Sequence, residues 1–306
     1  MRRAGGLRYA GARALYSILM PGRTLKEVGF LRLKTCRHGD LLFSVHDQHI
    51  GRSLDLYGEW AEGELDLLGL LLRPGDTVVD VGANLGTHTV FFAQRVGPSG
   101  AVLAFEPQRI VFQMLCANLA LNGLFNVHAH PAAVGRAAGV RELPDVRYDQ
   151  PSNYGGVSLV EQAPAAAAPT GDSPGARVPM LALDGLGLQR CRLLKIDVEG
   201  MELDVLEGGR ALIEATRPII YVENNDTARS PALIGWLLAR GYHLHWHLSR
   251  FFNPANHFAN PDNVFGDLCD LNMIGVGPDL EPAFARLPAV TGPDDNWQAL
   301  QRRLGH

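Results

Sequence analysis

At 306 residues, 46% hydrophobic and 20% charged, the chain is long enough for one large domain or two small ones and can bury a sizeable core. That composition excludes collagen-like, coiled-coil and wholly disordered chains, and no apolar run approaches the ~20 residues that a bilayer-spanning helix needs. A formal net charge of -4 supplies no global positive field for nucleic acid, and four scattered cysteines without a CxxC pair suggest neither disulfides nor a zinc knuckle, which fits a reducing cytoplasm.

Residues 1–58 form an N-terminal extension. Arg2, Arg3, Arg8, Arg13, Arg23 and Lys26 alternate with Leu7, Tyr9, Leu15, Ile18 and Leu19, and Glu27 is the only acid among them. Such a stretch is either a solvated helix on the domain or a peripheral contact with an anionic membrane. Its Arg-rich, acid-poor start also has the composition of a transit peptide, and it lacks the apolar run of a secretory signal. Residues 30–36 and 41–45 then pattern as a hairpin turning at 37–40, where Gly39 gives the backbone freedom. A helix follows over 59–72, with Leu65, Leu68 and Leu72 on one face, stopped by Pro74-Gly75.

From there strands and helices alternate. Strands are expected at 77–82, 101–107, 126–134, 192–200, 218–225, 242–248 and 272–277. Helices are expected at 87–96, 110–121, 201–214 and 231–240. This rhythm implies an α/β domain over 59–280 with a mostly parallel sheet covered on both faces, whose ligands bind along the C-terminal edge of the strands. The Ala/Pro/Gly-rich stretch 161–176 breaks the rhythm as a flexible insertion, and 281–306 is left as a C-terminal tail.

The strongest motif is VVDVGANLGTHT at 78–89: a strand ending in Asp80, a turn containing Gly82, Asn84 and Gly86, then a helix. Glycines let backbone approach a ligand, and the helix N-terminus offers free N–H groups. The spacing lacks the second and third glycines of the dinucleotide fingerprint. Asp80 at the strand end would repel a pyrophosphate but suits a cationic amino group. About ~20 residues on, Glu106 ends the next strand, where an acid can accept both hydroxyls of a ribose or can simply charge a helix N-terminus.

Three further strand ends carry polar groups. KIDVEGMELDVLEGG at 195–209 places Asp197 and Glu199 at the cleft edge, where a carboxylate is solvated, paired, used, or capping a helix. Glu202, Asp204 and Glu207 fall on the helix as its solvated face. YVENN at 221–225 brings Glu223, Asn224 and Asn225 to the same edge, either lining it or forming a turn. His88, opening the helix after the glycine turn, is a candidate base. His243, His245 and His247 share a strand face, but such a strand is more often an edge than a metal site. No ligand cluster demands a metal, although the carboxylates leave assistance by one open. The Asn- and aromatic-rich stretch 251–263 is either a rim stacking a sugar on Phe251 or Phe252, or a structural loop.

Taken in order, DVGANLGTHT, FEP, KIDVEGMELDVLEGG and YVENN resemble the FkbM family of S-adenosylmethionine-dependent methyltransferases over roughly residues 50 to 277. The resemblance implies a Rossmann-like class I methyltransferase: a seven-stranded, mostly parallel sheet with an antiparallel last strand. It also implies O-methylation of a hydroxyl on a sugar, glycan or secondary metabolite. Carried over by motif, Asp80, Gly82, Asn84 and Gly86 contact the methionine part of S-adenosylmethionine, Glu106 the ribose, and Asp197 lies beside the transferable methyl. Asp197 is then the first choice for handling the acceptor proton, followed by Glu199, Glu223 and His88. An RNA methyltransferase with the same cofactor fold would need a basic strip, and an inactive nucleoside-binding domain would gain nothing from acids at two further strand ends.

Overall fold

In a computed structural model of the chain, residues 22–144, 146–156 and 176–305 are described. The basic segment before residue 22 and nearly all of the 161–176 insertion lie outside the described residues. The chain opens with an antiparallel sheet of β1 (Thr24–Val28), β2 (Leu31–Cys36) and β3 (Gly39–Ser44). Cys36 pairs with Gly39 across the expected turn, while β1 is a strand that the hairpin pattern does not reveal. Two helices follow, α1 (Ile50–Tyr57) and α2 (Glu62–Gly69), so the single helix expected at 59–72 is shorter and has a companion before it.

The alternating part comprises β4 (Thr77–Val81), α3 (Thr87–Val96), β5 (Ala101–Phe105), α4 (Arg109–Leu121) and β6 (Val127–His130). After a small side sheet come β10 (Leu193–Ile196), α5 (Glu202–Gly208), α6 (Arg210–Thr216) and β11 (Ile219–Glu223). Then α7 (Ser230–Leu238), β12 (His243–Arg250) and β13 (Cys269–Val276) close the sheet. Its seven strands lie in the order β12-β13-β11-β10-β4-β5-β6. Strands β5, β4, β10 and β11 run parallel, and β13, the last in sequence, is antiparallel to both of its neighbours. The seven-stranded Rossmann-like sheet implied by the resemblance is therefore present.

Several details depart from the pattern. The helix expected over 201–214 breaks at Gly208-Gly209, where Gly208 packs so closely that a Cβ would lie 2.0 Å from the Gly135 carbonyl oxygen. The stretch 126–134 divides between β6 and a two-residue strand, β7 (Ala133–Val134). The latter joins β8 (Gly139–Leu143) and β9 (Ala176–Leu181) in the side sheet, which alternation alone does not disclose. Nor are residues 281–305 a loose tail. Trp246 N–H donates to the Pro288 carbonyl, Val290 N–H donates to the Leu244 carbonyl, and Leu300 of α8 (Trp297–Leu304) is buried in the main core.

Strands β10 and β11 are mostly apolar and buried almost along their length, as strands at a sheet's centre are, with Lys195 the one charged group inside β10. Helices pack on both faces: Val90 of α3 and Leu115 of α4 join the core beneath the glycine turn, and Leu206 and Ile213 of α5 and α6 cover the opposite face with Leu233 of α7. The N-terminal sheet is part of this body. Phe43 of β3 is fully buried beside Leu115 and Leu85, and Asn118 of α4 ties the parts together. Its Oδ1 accepts from Leu42 N–H at 2.6 Å, and its Nδ2 donates to the carbonyls of Leu42 and Leu85 at 3.1 and 2.8 Å. Replacing Asn118 by Ala leaves buried backbone groups without partners, at about 1–3 kcal/mol each. Asn118→Ala is expected to lose at least ~2 kcal/mol in denaturant unfolding, and an unchanged midpoint would contradict this account.

Candidate active site

Along the C-terminal edge of the parallel strands lies a cleft of about 300 Å³, with an adjoining smaller bay of about 50 Å³. Gly82, Glu106, Gln108, Asp197 and Glu199 belong to both. The turn after β4 explains how the strands meet there. Gly82 adopts φ +79° and lies so close to β10 that a Cβ would fall 1.7 Å from the Asp197 carbonyl oxygen. Its N–H and that of Ala83 both donate to the Phe105 carbonyl, which pulls the turn onto β5. Gly86, at φ +94°, starts α3 against Leu115 and stays outside the cleft wall.

Glu106 is buried, with Oε2 accepting from Asn84 N–H at 3.0 Å and Oε1 from Gln108 N–H at 2.8 Å. Each oxygen keeps a second lone-pair direction, as a carboxylate has about four acceptor sites. Burial pushes Glu106 up to about 7 against the pull of those two N–H bonds. The bay beside it is walled by Phe105, Pro107, Val134, Val198 and Met201.

Asp80 is placed differently from the expectation. It is wholly buried, accepts from Thr89 Oγ1 at 2.6 Å, lies 3.4 Å from Lys195 Nζ, and does not line the cleft. It anchors the ammonium from below instead of reaching a ligand. Lys195 is buried, and its Nζ also lies 3.4 Å from Asp197 Oδ2 and from the Gly82 carbonyl. Burial disfavours that charge, but Asp197, Asp80 and Glu64 outweigh burial and hold the ammonium above its ordinary value.

Asp197 follows β10 with a side chain 44% exposed. Neither Asp197 nor Glu199 caps α5, whose N-cap is Met201 without a side-chain bond. Glu199 stands at φ +51°, a backbone region that non-glycine residues rarely occupy. Burial and then the charge of Asp197 push Glu199 up to about 8. Glu223 ends β11, with Oε1 accepting from Asn225 Nδ2 at 2.7 Å. Burial, then Asp197 and Glu199, raise it well above the carboxylate range. Asn225 lines the cleft; Asn224 turns inward to Ser230 and Met273. Glu202, expected on the solvated face, is buried and accepts from Gly200 N–H, while Asp204 and Glu207 pair with Arg136.

His88 lines the cleft but makes a poor base. Burial and the nearby Lys195 push its imidazole down to about 4, so its 3.0 Å contact with Glu64 Oε2 is a hydrogen bond of a neutral ring, not an ion pair. The three histidines of β12 do not converge: His245 is buried 3.5 Å from the Leu287 carbonyl, and His247 bonds the Tyr221 hydroxyl at 2.8 Å. Phe251 does line the cleft, 4.7 Å from Trp60 between ring centroids, whereas Phe252 packs on Tyr57.

The motifs overlook Glu64, Asp270 and Asn272. Glu64 is buried on α2 and accepts from Asn272 Nδ2 at 2.8 Å; burial also raises its pKa. It lies four residues before Leu68, on the apolar stripe of its helix, and that position signals a buried acid. Asp270, held well above the carboxylate range by burial and then Glu64, belongs to β13, two residues before the start of the expected strand.

Residues 80–244 match the Methyltransferase FkbM domain. The chain belongs to the FkbM methyltransferase family. "Methyltransferase 1" of Beauveria bassiana is 33% identical over 150 residues, covering 44% of this chain and 59% of that protein. "Hexuronic acid methyltransferase AglP" of Haloferax volcanii is 29% identical over 168 residues, covering 52% of this chain and 61% of the relative. A 75-residue stretch is 41% identical to "31-O-demethyl-FK506 methyltransferase FkbM" of Streptomyces tacrolimicus, 24% of this chain and 28% of that protein. The chain thus spans about three fifths of the length of the first two relatives. The crystal structure of Methyltransferase FkbM from Methylobacillus flagellatus KT superposes with TM-score 0.43 at 17% identity, over 70% of this chain and 50% of that one. No helix among the described residues is long and apolar enough to cross a membrane.

In this FkbM-family chain the raised acids make stability depend on pH. Glu199 rises from 4.5 to about 8 on folding, so its contribution is fully present below about 4.5 and is lost as pH rises through about 8. In ligand-free buffer containing a chelator, the melting temperature should fall between about pH 5 and pH 8.5, and Glu199→Gln should flatten that fall. Parallel melting profiles for the two proteins would contradict this.

Proposed function

We propose that this chain methylates a hydroxyl oxygen of a sugar or secondary metabolite, using S-adenosylmethionine. The observation that carries the reading is the Glu106 carboxylate at the end of β5, facing the cleft between the glycine turn and the adjoining bay. Those residues fit the cofactor. Glu106 has lone pairs left for two ribose hydroxyls, the apolar side chains of the bay give an adenine ring a surface to pack on, and Gly82 and Asn84 give backbone close to the methionine part. Asp80 contributes indirectly, by fixing Lys195 under the turn.

When bound, S-adenosylmethionine supplies an electrophilic methyl on a sulfonium. The chain's own residues then have to hold the acceptor in line and manage one proton. Asp197, just beyond the strand beside β4 and 3.4 Å from the Lys195 ammonium, orients the acceptor hydroxyl. Trp60 and Phe251 give an aromatic wall against which a sugar face can pack. Six carboxyl groups line the cleft (Glu64, Glu106, Asp197, Glu199, Glu223 and Asp270), with Lys195 as the only Lys or Arg among the described lining residues. That balance disfavours a polyanionic nucleic-acid acceptor. Two relatives are named for a hexuronic acid and for a 31-O-demethyl compound, which supports an oxygen acceptor.

Titration calorimetry should show S-adenosylmethionine and its demethylated product binding more tightly than NAD; the reverse order would overturn the reading. Glu106→Gln, which keeps the shape and one acceptor oxygen, should weaken binding by ~1.5–3 kcal/mol. Asp197→Asn should leave cofactor affinity nearly unchanged while turnover falls ~100- to 10,000-fold. Full turnover in folded Asp197→Asn would remove Asp197 from the reaction.

A further inference from the structure

The acids that follow β10 and end β11 have a feature that cofactor binding does not explain. One carboxylate oxygen each of Asp197, Glu199 and Glu223 lie within 4.8 Å of one another. Glu223 is the informative member. Its Oε1 is fixed by Asn225 Nδ2 at 2.7 Å, which leaves Oε2 exposing less than 1 Å² with no hydrogen-bond partner. A buried carboxylate oxygen without a donor costs several kcal/mol unless a proton or a cation meets it. The nearest ammonium cannot serve, because Lys195 is engaged by Asp80, Asp197 and the Gly82 carbonyl.

We propose that Asp197, Glu199 and Glu223 bind a hard divalent cation of the Mg²⁺ or Mn²⁺ type at the acceptor end of the cleft. All the donors are carboxylate oxygens, without sulfur or imidazole, which selects Mg²⁺, Ca²⁺ or Mn²⁺ over zinc and copper. Three carboxylates leave coordination positions for water and for the acceptor, the usual arrangement for Mg²⁺. Glu223 sets the position: it ends β11, on the side of β10 away from β4 and β5, and lines the cleft but not the bay beside Glu106.

This site deepens the methyltransferase reading and rests on it for its purpose. An acceptor hydroxyl bound to the cation loses its proton more easily: the O–H bond breaks, its electron pair stays on the oxygen facing the cation, and the proton leaves to water in the open cleft. Asp197 then orients the hydroxyl through the shared cation.

The test is Mn²⁺ binding followed by electron paramagnetic resonance on the full chain, with Mg²⁺ as competitor. It needs neither cofactor nor acceptor, so it can fail while cofactor binding succeeds. One Mn²⁺ site displaced by Mg²⁺ is expected, weakened at least about tenfold in Glu223→Gln and unchanged in Glu214→Gln, an exposed acid of α6. Melting curves and binding of the demethylated cofactor confirm that Glu223→Gln is folded. Absence of a stoichiometric site, or equal Mn²⁺ affinity in folded Glu223→Gln, overturns the proposal and leaves Glu223 simply protonated.

Discussion

Lys195 Nζ lies 3.4 Å from Asp80 on β4, from Asp197 just beyond β10, and from the carbonyl of Gly82 in the intervening turn. A buried ammonium alone would cost several kcal/mol, so it is tolerable only where oxygens converge on it. Here the convergence does structural work, since it fixes the glycine turn against the neighbouring strand end. Asp80 needs to be wholly buried for this, and Thr89 at 2.6 Å satisfies its other oxygen. The acid of the sequence motif thus acts one layer below the ligand cleft.

From this ammonium the electrostatics of the cleft follow. One positive charge cannot neutralise six lining carboxyls, and five of them (Glu64, Glu106, Glu199, Glu223 and Asp270) are pushed up. Glu199 and Glu223 are both pushed up, chiefly by burial and then by neighbouring acids. Glu106 is also pushed up by burial, although two backbone N–H groups stabilise its anion. Such a cleft is an uncomfortable place for an anion and a natural one for a cationic ligand group or a metal ion. Burial and then the Lys195 ammonium keep His88 neutral against the pull of Asp80 and Asp197, and remove it as a base.

Much of this was legible in the sequence because parallel strands carry a plain signal. Mostly apolar runs such as 193–196, broken only by Lys195, and 219–222 read as central strands, and what ends them faces the cleft. Asp197, Glu223 and Glu106 were found that way. What escaped lay where one local pattern has two outcomes. Asp80 and Asp197 both sit near strand ends and both contact Lys195, yet Asp80 lies inside β4 opposite Lys195 and is wholly buried, while Asp197 lies beyond β10 and lines the cleft. Glu64 looked like part of a charged helix, although its place on the Leu65–Leu68 stripe marks it as buried. The side sheet pairs 139–143 with 176–181 across a long separation, and no local periodicity encodes such a pairing.

The most direct test of this account is Lys195→Met, which removes the ammonium with little change in volume, followed by chemical unfolding from about pH 5 to about pH 8. Without the cation, Asp80, Asp197 and Glu64 repel one another when ionised, so the stability lost relative to wild type should grow steadily as pH rises. Near pH 5, where the raised acids are protonated, much of the loss should be recovered. A deficit that is the same at every pH, or no deficit at all, would contradict the claim that this buried charge organises the site.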